Sequence, residues 1–253
     1  MKVDLFFCGD SYTWGEELQG PEQNHTRRVK ERFSTLVSEG LGKTSENISI
    51  SGTSNDWIVK KTIEWFEEGN SCDVAVIQFS QEKRWLWYDK NGKQHHMPAK
   101  WKQRDSYLYA TTEKEEAQKA YFQYVAINDQ FAVDNYWKNM FMLRNYLKDK
   151  CKVIHINLGE VPRDRVYGDV KNFWYGAVGH DIEILELKTL LKLPVEFKIN
   201  NKQKWKWYNP NFTRDLKSEV LDNNMNKRFS GSHPSAKGHR KISEKIIEIY
   251  NKL

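Results

Sequence analysis

The chain has 253 residues, and 40 Lys and Arg against 34 Asp and Glu give it a formal charge of +6. That length suits one large α/β domain, taken here as residues 1–253, with ample material for a buried core. Its 39% hydrophobic and 29% charged residues, with a mean hydropathy of −0.80, leave no apolar run near the ~20 residues a membrane helix needs, so membrane-spanning classes are excluded.

Val3 to Cys8 is a short apolar run closed by Gly9-Asp10, the pattern of a buried strand entering a loop. Asp4 interrupts the run and Gly9 ends it too early for a signal peptide, an expectation that places the protein in the cytoplasm. Thr26 to Leu41 carries Val29, Phe33, Leu36 and Val37 at helical spacing, with Gly40 and Gly42 as stop signals. Asn47 to Ile50 predicts a second strand, and Trp57 to Phe66 predicts a helix capped by Ser54 or Asn55. Asp73 to Phe79 and Lys152 to Leu158 are the third and fourth strands. Continuous Val/Ile runs separated by helices require a parallel sheet covered on both faces, a three-layer α/β/α architecture. Ser235 to Leu253, with Ile242, Ile246, Ile247 and Tyr250 on one face, closes the chain as an amphipathic helix.

Two segments, at about 84–150 and 159–227, exceed this plan and read as aromatic-rich ordered insertions near a functional edge. The first holds RWLWYDKNGKQHHMPAKW and then two helices, near Glu113 to Val125 and Gln130 to Leu147. Trp85, Trp87, Trp101, Trp205 and Trp207 lie in these segments, interleaved with Lys and Arg. These rings serve either to pack the insertions onto the domain or to build a substrate wall or a protein interface. Nucleic acid is the weaker partner, because the net charge is modest and no recognition motif accompanies the Lys/Trp interleaving. His95-His96 reads as part of a solvated loop, since adjacent residues do not share a face and no carboxylate or cysteine completes a ligand set. Cys8, Cys72 and Cys151 are far apart in sequence and in no paired spacing, which argues against a disulfide framework and against a zinc site.

Gly9-Asp10-Ser11 falls where the first strand ends, and the carboxyl ends of parallel strands are where open α/β sheets bind ligands. His233 precedes Pro234 and so sits in extended loop backbone ahead of the last helix. A serine and a histidine so placed can meet above the sheet edge, where a neutral imidazole could take the hydroxyl proton.

GDSYTWGEEL at 9–18, the turn at Gly52 and HPSAKGH at 233–239 resemble the first, second and last blocks of the SGNH (GDSL-type) hydrolases. The resemblance runs from the first strand to the terminal helix and implies a flavodoxin-like α/β fold. It further implies Ser11 as nucleophile, supported by Asp10, His233 as base, and the N–H groups of Ser11 and Gly52 as oxyanion donors, with no metal or cofactor. The pattern GDSYTWGEEL followed by GTSNDWI is also similar in style to GDSL-type proteins encoded by tailed bacteriophages, for which a virion location would follow. Two positions depart from the family. Ser230 stands where an Asp is expected, so a backbone carbonyl, Asp222 or Asp215 would orient His233; and Phe79-Ser80-Gln81 replaces Gly-x-Asn, so Gln81 or Asn55 would supply the side-chain oxyanion donor. The implied activity is that of a serine esterase or carbohydrate O-deacylase acting on a small-molecule or carbohydrate ester. The alternative, motivated by the two departures, is a catalytically weak or inactive protein of this fold serving as a binding or structural component, in a phage particle or through the aromatic insertions.

Overall fold

The computed structural model describes residues 1–16, 18, 24–97, 116, 119–121, 129–158, 184–191 and 233–253. In chain order its elements are β1 (Lys2–Cys8), α1 (Ser11–Trp14), α2 (His25–Glu31), α3 (Phe33–Leu41), β2 (Ser45–Asn47), α4 (Asn55–Glu67), β3 (Ser71–Phe79), β4 (Trp85–Tyr88), β5 (Gln94–Met97), α5 (Asp129–Leu147), β6 (Lys152–Asn157), β7 (Ile184–Glu186), α6 (Leu187–Leu191) and α7 (Ala236–Tyr250). Five strands form one sheet in the order β2-β1-β3-β6-β7, and every pairing in it is parallel.

A parallel sheet must be apolar on both faces, because its crossover helices cover both. Alternate residues accordingly go to opposite cores. Phe6, Cys8, Ala75, Ile77 and Phe79 pack against Trp57 and Ile58 of α4 and Tyr136, Met140 and Leu143 of α5. Leu5, Phe7, Val74, Val76, Ile154 and Ile156 face Phe33 and Val37 of α3, Leu187 of α6, and Ile242 and Ile246 of α7. The chain is therefore an α/β protein with a parallel sheet between two helical layers. Its strand order is that of the flavodoxin-like doubly wound sheets, whose topological switch point lies between the first and third strands. Among the described residues, no helix is long and apolar enough to cross a membrane.

Several local expectations shift. The helix expected over Thr26–Leu41 is two helices, broken at Arg32, whose backbone is extended (φ −70°, ψ 146°). No side chain of its own caps α3; instead Phe33 N donates to Nδ1 of His239, 206 residues further on, at 3.1 Å. Gly40 lies inside α3, and Gly42 ends it. The second strand comes earlier than Asn47–Ile50 because Asn47 accepts from Ser49 N at 2.9 Å, a turn that takes the chain out of the sheet. His95 is not in a solvated loop: residues 85–97 form an antiparallel β4–β5 hairpin, in which His95 Nε2 lies 2.9 Å from Asp89 Oδ2 and its ring stacks on Trp87. The Asn91-Gly92 step supports that hairpin, with Gly92 at φ 74°. Helix α5 spans Asp129–Leu147, against Gln130–Leu147 expected, and forms the crossover between β3 and β6. Trp85 packs on Tyr121 and Phe131. The helix expected near Glu113–Val125 falls almost entirely outside the described residues, as do Trp101, Trp205 and Trp207.

Two buried histidines make the fold acid-sensitive. Burial pulls His239 down to about 3, with His233 and Arg32 adding to the effect, and pulls His155 down to about 4, with Arg144 adding. Both rings are neutral when folded, whereas the unfolded chain protonates them below the ordinary imidazole value of 6.5. The unfolded state thus binds more protons, and stability falls as pH drops from about 6.5 toward 4. At pH 5 each ring costs on the order of 2 kcal/mol relative to pH 7. Urea unfolding at the two pH values should show this loss, and His239→Asn, which keeps an acceptor for Phe33 N, should remove about half of the pH-dependent difference although it lowers stability at both.

Candidate active site

The site is built where β1 and β3 end side by side, at the switch point of the sheet. The chain leaves β1 through Gly9, where a Cβ would lie 2.4 Å from Thr13 Oγ1 and 2.9 Å from Gln78 Cβ, so any larger residue would push the loop off β3. Gln78 is fully buried, and its Oε1 accepts from Asp10 N at 3.1 Å and Thr13 Oγ1 at 3.0 Å. Its own amide donates to Phe79 O at 2.8 Å. This one amide therefore fixes the turn that carries Ser11.

Asp10 has no exposed surface. One carboxylate oxygen accepts from Tyr12 N at 3.0 Å and caps the short helix α1. The other accepts from Ser80 Oγ at 2.6 Å and Arg84 Nη1 at 3.3 Å. Arg84 Nη1 also donates to Thr53 O at 3.4 Å. The guanidinium thus ties together the end of β1, the end of β3 and the turn after β2. In that turn Gly52 has φ 81°, a left-handed conformation suited to glycine. Thr53 Oγ1 donates back to Gly9 O at 3.3 Å, and Ser54 caps α4 by accepting from Trp57 N.

Ser11 is the first residue of α1 and is 3% exposed. Its Oγ lies 2.9 Å from His233 Nε2, across 222 residues of sequence. The imidazole packs beside the ring of Tyr12, with centroids 5.5 Å apart. Ser235 caps α7 by accepting from Gly238 N at 3.2 Å. Six residues beyond His233, the buried His239 stacks on Phe33 as it accepts from its N–H, which anchors the start of α7 beside α3.

The residues singled out from sequence are dispersed unevenly over this arrangement. Ser11 and His233 are in contact, and Asp10 lies beneath them. Asn55 is buried, and its amide spans the backbone of one residue, accepting from Ser80 N at 2.7 Å and donating to Ser80 O at 3.4 Å. Gln81 follows Ser80 and is half-buried. Asp215, Asp222 and Ser230, weighed as determinants of His233 orientation, fall outside the described residues. Sequence reasoning did not find Gln78, Ser80 and Arg84 as site residues. Gln78 alone carried a signal, a polar side chain inside an otherwise apolar strand. Among the described residues, no group of three or more His, Cys, Asp or Glu is placed to hold a metal ion. Chemically, the arrangement offers a hydroxyl and an imidazole nitrogen placed to take its proton.

No family model matches the sequence, and no curated protein matches it. Solved structures that resemble the fold include a lipolytic protein of the G-D-S-L family from Desulfitobacterium hafniense, 8% identical, covering 97% of this chain and 98% of its own, with a TM-score of 0.46. A member of the same lipolytic family from Veillonella parvula is 12% identical over the whole of both chains, with a TM-score of 0.45. An acetyl xylan esterase from Butyrivibrio proteoclasticus is 12% identical and covers 98% of this chain and 63% of its own, with a TM-score of 0.46.

The Asp10–Arg84 contact sets a stability prediction. Arg84 is 18% exposed at the side chain and Asp10 is not exposed at all, so Arg84→Met leaves a buried carboxylate short of its cation at a cost of about 2 kcal/mol, below that of a fully buried pair because water screens the guanidinium. Arg84→Lys should recover part of the loss. Combining Arg84→Met with Asp10→Asn should cost less than the sum of the two single changes in urea unfolding, since the pair acts as a unit.

Proposed function

We propose that this protein is a serine hydrolase acting on esters, with Ser11 as nucleophile and His233 as general base. The observation that carries the reading is the 2.9 Å approach of His233 Nε2 to Ser11 Oγ at the carboxyl edge of the sheet, where open α/β folds place their ligands. For this role His233 is neutral with its proton on Nδ1, so that Nε2 accepts.

Ser11 Oγ attacks the ester carbonyl carbon as its proton passes to His233 Nε2. The carbonyl oxygen takes up the charge of the tetrahedral intermediate beside the N–H groups of Ser11 and Gly52. His233 returns the proton to the departing alkoxide, leaving an acyl group on Ser11, and the same imidazole then draws a proton from the water that hydrolyses it. The side-chain donor to the oxyanion is assigned to Gln81 in preference to Asn55, because both ends of the Asn55 amide are engaged with Ser80. Asp10, Ser80 and Arg84 position these groups without touching substrate. Esters of small acids, including acyl groups carried on carbohydrate hydroxyls, fit a nucleophile of this kind.

The test is hydrolysis of short-chain aryl esters together with labelling by a fluorophosphonate. Wild type should be labelled at Ser11, and Ser11→Ala and His233→Ala should each lose on the order of 10³-fold or more in kcat. Equal rates for wild type and Ser11→Ala, or failure of wild type to label, would instead favour a binding protein that keeps the fold without the chemistry.

The donor assignment has a separate readout. Gln81→Ala should lower kcat by about 10²-fold, the effect of deleting one oxyanion donor, with unfolding unchanged. Asn55→Ala should mainly lower stability. The reverse pattern would move the donor role to Asn55.

A further inference from the structure

The three cysteines scattered through the sequence do not stay scattered. Cys72 lies at the start of β3 and Cys151 immediately before β6, and the parallel pairing of these strands brings them together at the sheet edge opposite Ser11. The two thiols are near enough for each to shift the other's titration, in opposite directions. Cys72 is buried in the core that Cys151 packs against. Both residues line a cavity of about 630 Å³ whose wall holds charges of both signs, Lys148, Lys150 and Lys152 beside Asp73, Asp149 and the carboxyl-terminal Leu253. Cys151 is half-buried, so it is the member of the pair with solvent access.

The two thiols differ in character. The neighbouring Cys72 thiol holds Cys151 below the ordinary thiol range, with Lys150 helping, while the same contact and burial raise Cys72. Cys8 is a contrast: it is buried, its Sγ donates to Ile58 O at 3.7 Å, and burial pushes it up to about 12. Thiolates and not thiols are the nucleophiles in exchange with disulfides, so the half-buried Cys151 is the sulfur that reacts first.

We propose that Cys72 and Cys151 form a dithiol modification site that takes a low-molecular-weight disulfide, with oxidised glutathione as the representative reagent, and closes to a Cys72–Cys151 cross-link. In the first step the Cys151 thiolate attacks one sulfur of the reagent, forming a mixed disulfide and expelling one reagent thiolate. In the second, Cys72 loses its proton and attacks the Cys151 sulfur, forming the intramolecular disulfide and expelling the second. Two protein thiols are oxidised by two electrons, and one reagent disulfide is reduced to two thiols.

The experiment uses the full chain, reduced, freed of reductant and exposed to oxidised glutathione at pH 8. Thiols are then counted under denaturing conditions, and the unreduced digest is mapped by mass spectrometry. Two of the three thiols should disappear, with Cys72 joined to Cys151 and Cys8 untouched. Cys72→Ser should stop at glutathione on Cys151, and Cys151→Ser should keep both remaining thiols. Three intact thiols in wild type, modification at Cys8, or a mixed disulfide on wild-type Cys151 that never resolves would overturn the proposal. The wild-type map decides the matter whether or not the variants fold.

Discussion

Everything at the candidate site hangs on a carboxylate that has no contact with solvent. A bare charge in that position would be costly, and Asp10 is tolerated because Tyr12 N, Ser80 Oγ and the Arg84 guanidinium all point at it. Each of those partners comes from a different piece of chain. Satisfying one charge therefore brings the first turn of α1, the end of β3 and the segment leading into the β4–β5 hairpin to one place. Arg84 extends the same tie to Thr53 and so to the Gly52 turn. The hydroxyl of Ser11 is held one residue away from this knot, close enough to inherit its rigidity without being consumed by it.

The sheet explains why the knot forms at that edge. Crossovers from β1 and from β3 leave in opposite directions, so the ends of these two neighbouring strands are where loops diverge and a cleft opens. Gln78 then fills the gap between the strands with an amide instead of an aliphatic chain, holding Asp10 N and Thr13 Oγ1 together. Gly9 gives the close approach that this arrangement needs. The opposite end of the same strands carries different chemistry, the Cys72 and Cys151 thiols in a cavity lined by both lysines and aspartates.

What was legible in the sequence was local or periodic. The Val/Ile runs of β1, β3 and β6, the Ser54 cap and the amphipathic α7 follow from spacing and capping that need only a few neighbouring residues. GDS and HPSAKGH could be placed because each abuts a recognisable element end. The partners of Asp10 were not legible, since Ser80 and Arg84 lie 70 and 74 residues away and look like ordinary polar residues of a loop. The break at Arg32 was hidden for a similar reason: the group that caps α3 after it is His239, from the other end of the sequence. β7 is three residues long and carries too little pattern to stand out from its surroundings. The β4–β5 hairpin is marked in the sequence only by the Asn91-Gly92 turn, set between Trp and His residues whose side chains stack on each other across the strands.

The distance along the chain between Ser11 and His233, and between Phe33 and His239, also bears on how the molecule comes to exist. Contacts separated by 222 and 206 residues are among the slowest to form, because most loop-closure entropy must be lost before they return anything. Helix α3 lacks its His239 cap until α7 docks, and the same docking delivers the imidazole to the hydroxyl. A partly folded chain, with the sheet formed and α7 still undocked, consequently has no assembled Ser-His pair. Any nucleophilic reactivity of Ser11 thus arises in the last stage of folding, together with the packing that buries His239.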